Sequence, residues 1–183
     1  MKKHTLTLDL DLDDESPLLD NIAILFFHTD TPNYLFADDL NHLYHLALAR
    51  TDDIPLYNTA WPLFSFHDQL RLFNYYLVER PLTQSSNQTI KQSKILIIRG
   101  EDAENESDKI LRDFNEPPAD TDAIHPDSQR RNETLLSYQQ ALVSVTRYNT
   151  LSPTPLSRKA TKERQEIDNL LTDILDYLDL NHM

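Results

Sequence analysis

Seven histidines and thirty acidic side chains are the groups in this chain that can do chemistry, so their spacing comes first. His42 and His45 stand three residues apart in a segment that reads as a helix, with Asp38 and Asp39 one turn earlier. Two imidazoles on one helical face can share a metal ion, and the carboxylates can add oxygen ligands. No third histidine stands at a diagnostic distance, and HExxH is absent. The ordinary reading, a solvated polar face on an amphipathic helix, is preferred. His28 with Asp30, and His67 with Asp68, form local His–carboxylate pairs, and Ser65 is close to the second. Such a pair does acid–base work when a nucleophile is placed beside it. Both pairs also fall where strands turn, and Asp favours turns in its own right.

Asp9, Asp11 and Asp13 match the opening of an EF-hand loop, and Asp14 and Glu15 follow. The mid-loop glycine and the closing glutamate are missing and leucines intervene, so a solvated strand edge is expected instead. Trp61, Phe64, Phe66, Phe73, Tyr75 and Tyr76 crowd one stretch. Alternating aromatics on a sheet can stack bases, but this stretch has few basic neighbours, so packing in a core is expected, with a protein-binding surface as the alternative. No residue is therefore assigned a catalytic, cofactor or metal role, and no cofactor is expected.

Composition narrows the classes further. The formal charge is −13, which repels phosphate backbones and anionic membranes. There is no cysteine, so disulfides and thiolate chemistry are excluded, in keeping with a reducing, cytoplasmic setting. Gly100 is the sole glycine. Phosphate-cradling loops and the GxSxG elbow, which need glycines, cannot be built. The opening MKKHTLTLDLDLDDE has no apolar core of the kind that a secretory leader requires, and none is expected. The longest apolar run, at residues 22–27, is far shorter than the ~20 residues of a membrane span.

The elements that must carry these residues follow from periodicity. Residues 5–12 alternate Leu with Thr or Asp, as an edge strand does. Residues 21–28 and 94–99 are short apolar strands. Residues 63–80 read as an aromatic hairpin turning at 67–69 after an irregular, proline-marked start. Helices are predicted over 34–50, with a Leu40, Leu43, Tyr44, Ala47 and Leu48 stripe, and over 103–115. A polar loop is expected after Arg80, and a Pro- and Asp-rich linker over 116–128. Beyond it, helices are predicted over 129–148 and 160–180. The latter carries Ile167, Leu170, Leu171, Ile174, Leu175 and Leu178 on one stripe. The expected fold is α+β: a small antiparallel sheet with two packed helices in residues 1–115, and a helical C-terminal appendage over 129–183.

The stretches PLFSFHDQLRLFNYYLVERP and KILIIRGEDAENESDKILRDFN resemble the IPExxxVDY family of small uncharacterised bacterial proteins. The naming motif itself is absent; SNQTIKQSK stands in its place. The resemblance implies a small α+β fold and brings no activity or site residues. The function expected from the sequence is a non-enzymatic protein-binding or scaffold module. Its partner would be another protein or a second copy, engaged through the C-terminal amphipathic helix. An enzyme or metal protein using the His/Asp groups is the alternative, and convergence of three or more of His28, Asp30, His42, His45, His67 and Asp68 would mark it.

Overall fold

The computed structural model describes residues 21–81, 93–116, 125–148 and 158–181. The fold is α+β, with four helices, a six-stranded antiparallel sheet and a separate two-stranded hairpin. The sheet contains β1 (Ile22–His28), β2 (Ala49–Arg50), β5 (Leu63–Asp68), β6 (Phe73–Glu79), β7 (Ser93–Arg99) and β8 (Ser144–Arg147). Their order is β2-β5-β6-β7-β1-β8. The hairpin pairs β3 (Ile54–Leu56) with β4 (Thr59–Trp61). The helices are α1 (Asn33–Tyr44), α2 (Ala103–Asn115), α3 (Pro126–Gln140) and α4 (Arg158–Asn181).

Both faces of the sheet are covered, which is why β1 and β7 read as unbroken apolar runs rather than alternating ones. Ala23, Leu25 and Phe27 of β1, with Leu96 and Ile98 of β7, join α1, α2 and α3 in one core. Ile24, Ile95 and Ile97 face the other way, against Trp61, Ile54 and α4. Leu170, Leu171, Ile174 and Leu178 of the predicted α4 stripe are buried there. Each such side chain contributes roughly 1.5–3 kcal/mol on burial, so the stripe from Leu170 onward is satisfied within the chain. The aromatic cluster is divided between the same two cores. Phe64, Phe73 and Tyr75 lie on the three-helix side, and Trp61 and Tyr76 on the α4 side.

Four local expectations are corrected. The helix predicted over 129–148 ends at Gln140. Leu142 takes a left-handed conformation (φ 54°), and the chain then re-enters the sheet as β8, where Val145 pairs with Phe27. The β-branched Val143, Val145 and Thr146 suit a strand better than a helix. The helix predicted over 34–50 stops at Tyr44, because His45 adopts the left-handed cap (φ 54°). Asn41 then clamps Leu48 in strand fashion: its amide nitrogen donates to the Leu48 carbonyl at 3.1 Å, and the Leu48 N–H donates back at 2.7 Å. The turn placed at 67–69 lies at 69–72, with Leu72 left-handed and Leu70 and Leu72 exposed. Asp68 organises it, accepting from the Leu70 and Arg71 N–H groups at 3.1 and 3.0 Å. The stretch expected to be irregular before β5 contains the β3–β4 hairpin, closed by Tyr57 and Asn58, both with positive φ as a two-residue hairpin turn requires.

The strand expected at 5–12, most of the loop after Arg80 and most of the 116–128 linker lie outside the described residues. From the 129–183 segment, Leu135, Tyr138 and Val145 enter the three-helix core, and α4 supplies the opposite one.

Candidate functional site: a groove beside the C-terminal helix

The histidine–carboxylate candidates are dispersed. His42 points outward from α1, while His45 has left the helix, so the two do not share a helical face. Asp38 is exposed, and Asp39 accepts a hydrogen bond from the Tyr138 hydroxyl. His28 sits opposite Ser93 at one end of the sheet, with Asp30 just beyond. His67 pairs with Asn74, which in turn lies opposite Arg99 and, through it, Ile22 at the other end. At about 3.3 Å per residue the length of β1 separates these ends by roughly 20 Å. His67 shares a hydrogen bond with Asn74, Asp68 is engaged in its turn, and Ser65 lies within β5 opposite Tyr76 and Ala49. Among the described residues, no three His, Cys, Asp or Glu side chains gather as a metal site. Asp9 to Glu15 lie outside the described residues.

The charged residues that sequence reasoning missed fasten elements together. Arg71 bridges Asp68 at 2.6 Å and Glu106 at 3.2 Å, joining the β5–β6 turn to α2, and the Tyr75 hydroxyl donates to Glu106 at 3.1 Å. The Arg71 hydrogen bonds, backbone first, hold the Asp68 carboxyl below the usual range. Arg147 reaches from β8 to Asp108 of α2 at 2.7 Å. Lys94 is fully buried, on the same strand face as Leu96 and Ile98, with its amine 3.2 Å from Glu79. Burial pushes that amine below the ordinary lysine range, and the nearby Glu79 and Asp30 carboxylates oppose the shift. One signal was visible in the sequence: Lys94 occupies an inward position of an otherwise apolar strand.

A concave feature among the described residues lies on the α4 side. α4 is fastened along its C-terminal half. The Tyr57 hydroxyl at the hairpin tip donates to Asp173, and Arg99 of β7 donates to Asp179 at 2.5 Å. Among its described residues, the buried apolar ones fall from Leu170 onward. Before Leu170, the described side chains of α4 are exposed apart from the half-buried Arg164 and Asp168. A cavity of about 640 Å³ lies between α4, the hairpin and the end of β6. Trp61, Ile167 and Leu170 supply apolar lining, Tyr57 stands at one side, and Glu163, Glu166 and Arg80 bring charge. Tyr57 is 62% exposed and Ile167 37%, and the Tyr57 ring packs edge-on against Trp61 with centroids 6.4 Å apart. Such a volume is ordinary for a ligand-binding concavity. The lining has no nucleophile paired with a base; what it offers is apolar and aromatic contact area with a polar margin.

No protein-family model, curated protein or solved structure matches the chain.

Proposed function

We propose that this chain is a non-catalytic protein-binding module that receives a partner segment in the groove between α4 and the β3–β4 hairpin. One observation carries the reading: an exposed tyrosine and an exposed isoleucine flank a concave apolar surface whose floor includes the chain's single tryptophan. Aromatic anchors set in concavities and ringed by polar groups are how protein interfaces concentrate their binding energy. Self-association through the full α4 stripe is disfavoured, because the stripe from Leu170 onward is consumed in the core. The His/Asp alternative loses support from the separation of its candidate groups.

The test compares wild type with Ile167→Glu as baits for proteins of the source organism. The expected result is a protein retained by wild type and lost on the variant, with thermal stability little changed. Identical recovered sets would overturn the reading.

A further inference from the structure

We infer that the occupant of this groove is a cationic segment of another protein, an aliphatic or aromatic anchor side chain flanked by lysine or arginine. The inference rests on the groove being a docking surface, and adds the chemistry of what docks. Two carboxylates, Glu163 and Glu166, stand along the α4 wall, against one guanidinium, Arg80, at the opposite margin. Glu163 is only loosely engaged by Lys159 at 3.9 Å, with both side chains largely exposed, so a closer cation can displace that pair. Among the described residues Glu166 has no ion-pair partner, in contrast to the arginines and acids that lock the rest of the fold. The wall is therefore acidic and available.

The charge of the whole molecule points the same way. At −13 the protein attracts cationic partners from a distance and repels acidic ones. It also repels its own copies, which argues against a second copy of this chain as the occupant. The apolar lining argues against a cation alone: Ile167 and the Tyr57 ring are exposed beside the buried Trp61 and Leu170, and an apolar group is needed to cover them. An anchor residue entering beside Ile167, with a flanking Lys or Arg reaching Glu163 or Glu166, satisfies both requirements.

The experiment is selection of a displayed random dodecapeptide library on the full chain, followed by titration of synthetic peptides. Trp61, the only tryptophan, gives the fluorescence readout. The expected result is enrichment of peptides with an apolar anchor next to Lys or Arg. Their binding should weaken at least about thirtyfold on Ile167→Glu, a hot-spot-sized loss. It should also weaken on the double change Glu163→Gln and Glu166→Gln, and with added salt. Peptides lacking basic residues that still depend on Ile167 would overturn the cationic inference and leave the docking surface standing. Selected peptides that bind the Ile167→Glu variant unchanged would overturn both. So would failure to select any peptide, which, together with a loss of stability in Ile167→Glu, would assign the groove to the chain's own packing. A doubled mass in solution that Ile167→Glu restores to monomer would assign it to a second copy and overturn the inference.

Discussion

The hydroxyl of Tyr57 donates to the carboxylate of Asp173, joining the tip of a two-residue hairpin turn to the middle of the last helix, 116 positions later in the chain. This contact keeps the hairpin against α4 and sets one side of the groove. The Asp173 bond pushes the Tyr57 hydroxyl above its ordinary pKa of 10.0, with burial and the carboxylate's charge adding to the effect. A tyrosine whose folded pKa is raised contributes stability that is present below pH 10 and is lost as pH rises through the raised value. Tyr57→Phe is expected to cost about 0.5–1.5 kcal/mol near neutrality, the ordinary worth of one hydrogen bond. Thermal melts across pH 7 to 11 should show the difference from wild type shrinking above pH 10. A penalty independent of pH would contradict the assignment.

Gly100 is required by a neighbour. A Cβ placed there would lie 2.3 Å from Cδ1 of Phe73, and φ at this position is +156°, where side chains are rarely found. Phe73 opens β6 and is itself buried, so it has little room to withdraw. Gly100→Ala is expected to lose about 1–3 kcal/mol through overpacking. Adding Phe73→Leu should recover part of that loss, as read by denaturant unfolding. Additive losses in the double variant would show that the ring is not the obstacle.

Lys94 and Glu79 form a buried ion pair and should behave as a unit. Glu79→Leu alone leaves a buried ammonium without its counter-charge and is expected to cost about 3–5 kcal/mol. The double change Lys94→Met and Glu79→Leu should lie near wild type, within about 1 kcal/mol, because apolar groups of similar size fill the site without a desolvation cost. The double-mutant cycle by urea unfolding measures the coupling; additive single effects would mean the pair is solvated.

Much of this fold was legible from periodicity. β1 and β7 are unbroken apolar runs, and α4 repeats Leu and Ile at three- and four-residue steps for more than two turns. Local pattern failed where the backbone changed direction without glycine. His45, Tyr57, Asn58, Leu72 and Leu142 all take positive φ, and of these only Asn58 is among the usual turn formers. His45, Leu72 and Leu142 therefore looked like continuation, so α1 was read too long, the β5–β6 turn was placed too early, and β8 was absorbed into α3; the β3–β4 hairpin was missed because Pro55 and Pro62 made its stretch read as irregular. The groove was illegible for a related reason. It lies between α4, the hairpin and the end of β6, which are brought together by contacts of Tyr57 and Arg99 with acids far along the chain. Ile167 belonged to the stripe by spacing, yet in space it is the residue the core leaves out.

Asp168 offers a stabilising change. Its Oδ1 is buried without a hydrogen-bond partner, and burial raises its pKa. A carboxyl whose folded pKa is raised costs stability when ionised, and that cost is relieved as pH falls through the raised value. Asp168→Asn is expected to stabilise the protein at pH 7 by roughly 1 kcal/mol, or about 2–4 °C in melting temperature. The gain should fade toward pH 4. A loss of stability at pH 7 would show that the carboxylate has a favourable role.

The central claim is that a partner segment covers the groove beside α4. Trp61 fluorescence during titration with a selected Lys- or Arg-flanked peptide measures this most directly, because no other tryptophan contributes signal. The account predicts a saturable change in Trp61 emission that is absent in Ile167→Glu, with a midpoint matching the affinity found by an independent binding method. Binding at the same affinity with no change at Trp61 would place the partner elsewhere on the molecule and contradict the account.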